Sequence, residues 1–177
     1  MKKKSILDMC RISADEFRRA DKIPLTVVLD NVRSLNNVGS IFRTSDAFRV
    51  EAICLCGITA VPPHPEIHKT ALGAEDSVAW YYEEDTVQAV EKLIGEDYIV
   101  YAVEQVDESI LLPDLKLDAD KKYAVVLGNE VKGVQQQVVD LCAQSIEIPQ
   151  YGTKHSLNVS VTAGLVIWDF FKQLYRL

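Results

Sequence analysis

The sequence predicts an α/β fold in which a mostly parallel sheet carries helices on both faces. Short apolar runs rich in β-branched residues, such as Leu25–Leu29 and Tyr123–Leu127, are typical of strands buried on both sides. Segments with a helical spacing of apolar residues lie between these runs. Strands that alternate with helices favour a doubly wound sheet. The 177 residues contain no linker or low-complexity tract, so we expect one domain over residues 1–177.

The individual elements follow from the same two patterns. Pro24 precedes the first apolar run, and helical spacing in Ser40–Phe48 places Ile41 and Phe42 near one face. The acidic residues Glu83–Asp85 suit the positive end of the helix that follows them. The predicted strands are Leu25–Leu29, Ala52–Cys56, Trp80–Tyr82, Tyr98–Val103, Tyr123–Leu127 and Ile146–Ile148. The predicted helices are Ser5–Ala20, within an N-terminal extension of residues 1–22, then Ser40–Phe48, Glu66–Leu72, Val87–Ile94, Gln135–Leu141 and Asn158–Leu174.

The composition excludes several classes of protein. With 48% hydrophobic and 25% charged residues, the chain is typical of a globular protein and not of a disordered, collagen-like or coiled-coil one. It has no run of about 18 apolar residues, so we expect no membrane span. The apolar stretch near the N-terminus is short, and Asp8 and Arg11 interrupt it. We therefore expect no secretory signal and a cytoplasmic protein.

The cysteines predict core packing and no metal site. The four cysteines of a cytoplasmic protein are expected to stay reduced. Cys54 and Cys56 stand two residues apart in a predicted strand, so both face the same side of the sheet. Because no second Cys or His pair occurs at metal-ligand spacing, we expect no bound metal.

Charge is distributed unevenly along the chain. The formal net charge is −7, which by itself argues against a nucleic-acid partner. Residues 75–120 alone carry a net charge of −12, whereas residues 1–74 carry +3 and residues 121–177 carry +2. A local basic face on an acidic protein is therefore compatible with the sequence.

Polar segments with glycine follow three of the predicted strands, at the positions where ligands bind in sheets of this kind. In the first segment, residues 31–45, Asn36 or Asn37 can cap the next helix, and Gly39 permits close approach to the backbone. Arg43 lies about one helical turn beyond Gly39. A helix N-terminus with an arginine suits a phosphate group, but an ordinary capped helix explains this segment equally well.

The other two segments exclude some common sites. Residues 126–133 hold two glycines around a carboxylate, yet they match neither the dinucleotide fingerprint nor the Walker pattern, which counts against an NAD-binding enzyme. In residues 148–160, Ser156 can cap the last helix, and Asn158 then lies in its first turn. His155 beside Ser156 does not indicate a hydrolase, because no Gly-x-Ser-x-Gly elbow is present.

Together, in this order and spacing, the three segments resemble the motifs of the SpoU family of RNA ribose methyltransferases, in the SPOUT superfamily. The first motif, Asn-x-Gly with an arginine four residues later, is matched by Asn37-Val38-Gly39 and Arg43. The second, Gly-x-Glu-x-x-Gly after a strand, is matched by residues 127–133. The third is matched by Ile148-Pro149 and by residues 156–160, Ser-Leu-Asn-Val-Ser. Residues 71–75 are similar to the family's central loop, and the resemblance covers about residues 24–171.

The resemblance implies properties that the residue patterns alone do not give. The fold would contain a deep trefoil knot, formed within residues 123–177, which end in the C-terminal helix. The cofactor would be S-adenosyl-L-methionine, bound in the knot. The protein would be a homodimer with its active site completed across the interface, and the two terminal helices are candidate interface elements. The cofactor-binding residues implied by the resemblance are Val103, Leu127, Gly128, Asn129, Ile148 and Leu157.

The resemblance also implies a reaction, the transfer of a methyl group to a ribose 2′-hydroxyl of RNA. The catalytic residues that it implies are Asn37, Arg43, Glu130, Ser156 and Asn158. Arg43 would hold the phosphate beside the target ribose or act as a general base, and its role stays open because a guanidinium is almost never deprotonated. Asn37 would position Arg43 or the ribose, and the other three side chains would shape the pocket through hydrogen bonds.

Transfer RNA is the substrate that the resemblance favours, because small members of the family with helical extensions at both ends are often transfer-RNA enzymes. Ribosomal RNA is the alternative. A non-catalytic RNA-binding protein of the same fold is a further alternative. The intact set of catalytic residues argues against it. Candidate phosphate contacts, which solvated helix faces explain equally well, are Lys2, Lys3, Lys4, Arg11, Arg18, Arg19, Lys172 and Arg176.

Overall fold

The structure, a computed structural model, describes residue 3 and residues 11–175. It confirms the predicted fold class, since seven strands form one sheet in which every strand pairing is parallel. Helices cover both faces of this sheet. Residues 5–10 of the first predicted helix lie outside the described residues, as do Lys2, Lys4 and Arg176. That residues 1–177 form one domain stays a prediction.

The elements alternate as the sequence predicts. The strands are β1 Ile23–Asp30, β2 Val50–Cys56, β3 Ala79–Glu83, β4 Tyr98–Val103, β5 Ile110–Leu111, β6 Lys122–Leu127 and β7 Gln144–Glu147. The α-helices are α1 Ala14–Arg19, α2 Leu35–Ala47, α3 Pro65–Ala71, α4 Ala74–Ser77, α5 Thr86–Gly95, α6 Gln136–Leu141 and α7 Val159–Leu174. A short 3-10 helix, Leu112–Asp114, follows β5. No helix in the described ranges is long and apolar enough to cross a membrane.

The sheet has the strand order β3-β2-β1-β6-β4-β7-β5, with β6 paired on both sides. Leu127 at the end of β6 is paired with Leu29 of β1 and with Val103 of β4. Val103 is in turn paired with Ile146 of β7. The carboxyl ends of β1, β6, β4 and β7 therefore lie side by side at one edge of the sheet, which we call the carboxyl edge.

Two apolar cores pack against the two faces, because alternate residues of a strand point to opposite sides. On one face, Leu25, Val27 and Leu29 of β1 join the core that includes side chains of α2 and α7. On the other face, Val28 of β1 lies in a smaller core with side chains of α5 and α6. Cys54 and Cys56 are both fully buried in this smaller core, with 3.4 Å between their sulfur atoms, as the two-residue spacing predicts.

Several boundaries differ from the predicted ones, because capping side chains decide where helices begin. Helix α1 begins only at Ala14, since the Ser13 side chain accepts the N–H of Glu16 and Glu16 reaches back to Ser13. Helix α2 begins five residues before the predicted start, because Ser34 is its cap. The predicted cap at Asn36 or Asn37 is therefore wrong.

The C-terminal helix is capped by a different residue from the one predicted. The Asn158 side chain accepts the N–H of Ser160, so α7 begins at Val159 and Ser156 does not cap it. Strand β7 ends at Glu147, one residue before the predicted Ile148. The sequence patterns missed α4 and β5, which have four and two residues and are too short to show a periodicity.

The C-terminal part of the chain is arranged in the way that a knotted fold requires. Strand β6 lies between β1 and β4, although β1 and β4 both precede it in the sequence. After β7, the chain returns along residues 148–158 to place α7 on the face that also carries α2. This order of strands and helices is consistent with the predicted trefoil knot.

A buried carboxylate ties three elements together at the carboxyl edge. Asp30, the last residue of β1, is fully buried. Its side chain accepts hydrogen bonds from the Thr86 hydroxyl at 2.7 Å, from the Asn31 amide at 2.9 Å, and from the backbone and side chain of Gln135 at 2.9 and 2.7 Å. Because Thr86 opens α5 and Gln135 precedes α6, the carboxylate fixes both helices to β1.

We expect Asp30→Ala to lower the free energy of unfolding by about 3 kcal/mol, because several buried donors would lose their acceptor. Urea unfolding followed by circular dichroism measures the change. Asp120→Ala, an exposed carboxylate, serves as the control and should change stability by less than about 0.5 kcal/mol. A loss in Asp30→Ala as small as in the control would show that the carboxylate does not hold these helices.

Candidate active site

A cavity of about 700 Å³ opens at the carboxyl edge. This is the edge at which parallel sheets bind ligands, and the volume is in the range of small-molecule and cofactor sites. Three chain segments form its walls, namely residues 103–106 after β4, residues 127–134 after β6, and residues 146–159 between β7 and α7. The parallel register of the strands brings these separate segments together.

The structure places all six of the predicted cofactor-binding residues around this cavity. They are Val103, Leu127, Gly128, Asn129, Ile148 and Leu157. Three of the five predicted catalytic residues, Glu130, Ser156 and Asn158, also line it. The lining combines apolar side chains at the strand ends with polar groups from the connecting segments, as is usual for a site that binds and orients a polar organic ligand.

The segment after β6, residues 128–134, is a closed turn. Asn129 and Gly133 exchange two backbone hydrogen bonds of 3.1 and 2.9 Å. The Asn129 side chain accepts the N–H groups of Val131 and Lys132, and donates to the Asn31 carbonyl at 2.7 Å. Asn129 thus shapes the turn from inside and anchors it to the end of β1.

The two glycines of this turn are there for steric reasons. A Cβ atom at Gly128 would collide with the backbone of Gly133 and Val134. Gly133 has a φ of +69°, and a Cβ atom there would collide with the Glu104 carboxylate. Any other residue at either position would push the turn away from the cavity wall that it forms.

The Glu130 carboxylate fastens the turn to the start of α2. One oxygen accepts the backbone N–H of Arg33 at 2.9 Å, and the other accepts the N–H of Ser34 at 3.0 Å and the Asn37 amide at 3.1 Å. Partial burial raises the pKa of Glu130, but the hydrogen bonds, led by those from Arg33 and Ser34, outweigh burial and hold the pKa below its ordinary value. The carboxylate is therefore used as an acceptor of hydrogen bonds and is unsuited to serve as an acid near neutral pH.

Asn37 connects the second and third motif segments. Its side chain is buried, donates to Glu130, and accepts the Asn158 amide at 3.2 Å. The Asn158 oxygen in turn accepts the N–H of Ser160 at 2.9 Å and its hydroxyl at 2.6 Å. A continuous line of hydrogen bonds, which we call the motif relay, thus runs from Ser160 through Asn158 and Asn37 to Glu130. The relay joins all three segments that the sequence singled out.

The structure does not bring Arg43 into this cavity. Arg43 lies on the exposed side of α2, and its guanidinium makes no hydrogen bond or ion pair with the described residues. Asn37 contacts Glu130 and Asn158 instead of Arg43. Ser156 lines the cavity without a hydrogen bond of its own among the described side chains. Within one chain, the predicted catalytic set is therefore divided between the cavity and the outer face of α2.

Glu104 is a residue of the site that the sequence reasoning missed. It directly follows β4 and lines the cavity, and its carboxylate accepts the backbone N–H of Val134 at 3.0 Å and of Gln105 at 2.9 Å. It thereby anchors the far end of the turn, opposite Glu130. The available signal was a carboxylate at the end of an apolar strand, since Glu104 directly follows β4 and Asp30 is the last residue of β1.

Within the described residues, no group of three or more His, Cys, Asp or Glu side chains is arranged to hold a metal ion. The buried pair Cys54 and Cys56 lies in the core and does not line the cavity. Burial raises the pKa of the third described thiol, Cys142, to about 12.

Comparisons with known proteins agree with this geometry. A family model described as the SpoU rRNA Methylase family matches residues 24–168. The 23S rRNA (guanosine-2′-O-)-methyltransferase RlmB of Bordetella pertussis is 29% identical over 150 residues, which make up 84% of this chain and 60% of that protein. The chain thus spans about three fifths of the length of this curated relative.

Solved structures show the same fold. The TrmH/SpoU tRNA modifying enzyme of A. aeolicus superposes with a TM-score of 0.79 at 26% sequence identity, over 90% of this chain and 81% of that chain. An AdoMet-bound rRNA methyltransferase from Sinorhizobium meliloti also superposes with a TM-score of 0.79, over 90% of this chain and 61% of that chain. At 24% identity the second likeness concerns the fold alone.

Glu130→Gln tests whether the ionised carboxylate holds the turn. Because the pKa of Glu130 is lowered in the folded protein, its stabilising effect is present above the pKa of the unfolded chain, about 4.3, and is lost as pH falls through the folded pKa. We expect the wild type to be more stable than Glu130→Gln at pH 7 and the difference to shrink below pH 4.3 or so. Urea unfolding at pH 7, 5, 4 and 3 measures this difference in the free energy of unfolding.

Glu91→Gln is the matched control, because Glu91 is exposed in the middle of α5 and its carboxylate makes no hydrogen bond or ion pair with the described residues. Its stability should follow that of the wild type at each pH. A difference between wild type and Glu130→Gln that is constant from pH 7 to pH 3 would contradict the role of the charge.

Proposed function

The chain belongs to the SpoU family of methylases, and from this premise we propose that it transfers the methyl group of S-adenosyl-L-methionine to a ribose 2′-hydroxyl of RNA. One observation carries the proposal most directly. The motif relay joins the three segments by which the chain resembles the family, and it does so along one wall of a cavity of cofactor size. The hydrogen bonds therefore bring together, in one site, motif residues that lie far apart in the sequence.

The cavity residues fit the proposed cofactor. Val103, Leu127 and Ile148 give apolar surface that suits an adenine ring, and the tight turn at Gly128 leaves backbone groups at the cavity wall. The cofactor supplies a methyl group on a positively charged sulfur, which is already reactive. The task left to the protein is to place the ribose hydroxyl near that methyl group, to relieve the hydroxyl of its proton, and to exclude other nucleophiles.

Arg43 is the side chain that we assign to the RNA. Its guanidinium is exposed and unpaired with the described residues, so all its donors are available for a phosphate beside the target ribose. A bidentate contact of this kind would orient the ribose hydroxyl toward the cavity. Asn37 then acts indirectly. Its hydrogen bonds to Glu130 and Asn158 fix the first turn of α2, and Arg43 lies further along the same helix.

A second copy of the chain would bring Arg43 and the cavity together. An exposed apolar stripe comprises Val161, Leu165 and Trp168, which lie at helical spacing along α7, together with Leu157, two residues before the helix begins. The stripe begins at the cavity, since Leu157 lines it, and it ends beside α2, where Trp168 packs on Phe48 with 5.3 Å between ring centroids. A copy seated on this stripe would lie across both the cavity and the helix that carries Arg43, which supports a homodimer with a shared active site.

Transfer RNA is the RNA that we propose, and ribosomal RNA is the competing substrate. The relatives are divided, because the protein from Bordetella pertussis is named for 23S rRNA and the A. aeolicus structure for tRNA. A non-catalytic RNA-binding protein of the same fold is disfavoured by the motif relay, since such a protein has no need of it. The reaction itself is the same for both RNA substrates.

Arg43→Ala should keep the binding of S-adenosylhomocysteine and lose methyl transfer by at least about 100-fold, because it removes orientation and leaves the cavity intact. The measurement is transfer of labelled methyl from S-adenosyl-L-methionine to unmodified transfer RNA and ribosomal RNA, assayed separately. Arg43→Lys is the matched control, since it keeps the charge and loses the planar fork. Wild-type turnover in Arg43→Ala would overturn the assignment of Arg43, and cofactor binding without label in either RNA would favour the non-catalytic protein.

Leu165→Glu should convert a dimer into a monomer, because it places a charge in the centre of the apolar stripe. Light scattering after gel filtration measures the molar mass. Ile94→Glu, an exposed apolar residue at the end of α5, is the control and should leave the mass of the wild type unchanged. A monomeric wild type, or a dimeric Leu165→Glu, would contradict this interface.

A further inference from the structure

The two most exposed large apolar side chains in the described part of the chain flank the same cavity. Tyr151 is 96% exposed and Val131 is 78% exposed, above every other large apolar residue described. Val131 lies at the tip of the turn after β6 and lines the cavity. Tyr151 does not itself line the cavity, but it lies between the lining residues Gln150 and His155 in the segment that joins β7 to α7. Singly scattered apolar residues on a surface are ordinary, but two at the mouth of one cavity indicate a bound apolar surface.

The tyrosine ring stands clear of the protein. Tyr151 makes no hydrogen bond and no ring contact with the described residues. Its neighbour Gly152 has open space where a Cβ atom would lie, with no atom of the described chain within 4 Å. Both faces of the ring are therefore open to a planar partner.

Positive charge accompanies these two side chains. Lys132 lines the cavity beside Val131, and Lys154 follows Tyr151 in the same segment. Neither lysine forms an ion pair with the described residues. The carboxylates of this rim are all engaged, because Glu104 and Glu130 accept backbone N–H groups and Glu147 accepts the Ser109 hydroxyl at 2.7 Å. The carboxylates keep their negative charge, but the two lysines are the charged side chains here that make no hydrogen bond or ion pair with the described residues.

From these observations we propose that Tyr151 is a stacking platform for an unpaired nucleobase of the RNA, with Lys132 and Lys154 as contacts to the flanking phosphates. An open aromatic face accompanied by cations suits the alternation of base and phosphate in a single strand. A base within a duplex is stacked on both sides and offers no free face. The inference rests on the proposed function and narrows its substrate class to RNA whose target nucleotide lies in a loop, a bulge or an extruded position.

The test is RNA binding by the full chain saturated with S-adenosylhomocysteine. The probes are a fluorescein-labelled 12-nucleotide RNA of mixed sequence and the same strand annealed to its complement, followed by anisotropy. The wild type should bind the single strand more tightly than the duplex. Tyr151→Ala should weaken binding of the single strand at least fivefold or so, the loss expected for one stacked base. Tyr151→Phe should bind within about twofold of the wild type, since the ring is retained.

Two control variants separate stacking from other effects. Tyr151→Leu keeps an apolar side chain without a planar face, and it should bind as weakly as Tyr151→Ala. Ile94→Ala removes an exposed apolar residue far from the carboxyl edge and should bind as the wild type does. Equal affinity of Tyr151→Ala and wild type, or equal affinity for strand and duplex, would overturn the proposal. A loss of dimer mass in Tyr151→Ala would also overturn it, because the ring would then contact a second copy.

Failure of this inference can be told apart from failure of the proposed function. Methyl transfer to RNA by the wild type, with Tyr151→Ala unchanged in affinity, would reject the stacking role alone. Absence of both S-adenosylhomocysteine binding and methyl transfer would reject the proposed function. Cofactor binding without any RNA binding by the wild type would reject the stacking role together with the RNA substrate.

Discussion

The parallel pairing of β6 with β1 on one side and β4 on the other is the constraint on which the rest of the structure depends. In this buried position every backbone group of β6 needs a partner, so the strand cannot shift its register without losing hydrogen bonds on both sides. The fixed register ends β1, β6, β4 and β7 at one edge. Three polar segments that are far apart in the sequence are consequently forced together there.

Carboxylates at this edge hold the backbone in place. Asp30 accepts donors at the starts of α5 and α6, Glu104 accepts the end of the turn after β6, and Glu130 accepts the start of α2. A carboxylate bonded in this way keeps its charge and satisfies backbone groups that would otherwise be unpaired. The same arrangement engages the acidic groups at the cavity mouth in hydrogen bonds, whereas Lys132 and Lys154 form no ion pair with the described residues.

The division between cavity and arginine has a physical consequence for the proposed reaction. The motif relay builds the cavity within one chain, whereas Arg43 projects from the outer face of α2. Hydrogen bonds can preorganise the cavity within a single chain, whereas in the proposed dimer Arg43 would join it across the interface. An apolar stripe that runs from the cavity to α2 gives that partner a surface to bury. Assembly and catalysis would then depend on the same helix, α7.

The sequence by itself determined the fold class, five of the seven strands closely, and two of the three segments that line the cavity, because apolar periodicity and glycine spacing are local properties. The six residues that the resemblance implies for the cofactor all line one cavity, and their role in binding stays a prediction. Only the tertiary structure decided that Ser34 and Asn158 cap their helices, that Glu104 belongs to the site, and that Arg43 stands outside the cavity. For the two caps, the reason is that several neighbouring residues could serve and the folded backbone selects one of them. For Glu104 and Arg43, the reason is that strands and helices distant in the sequence decide what each side chain meets, as when Glu104 reaches Val134 over 30 residues, and no local pattern records such a contact.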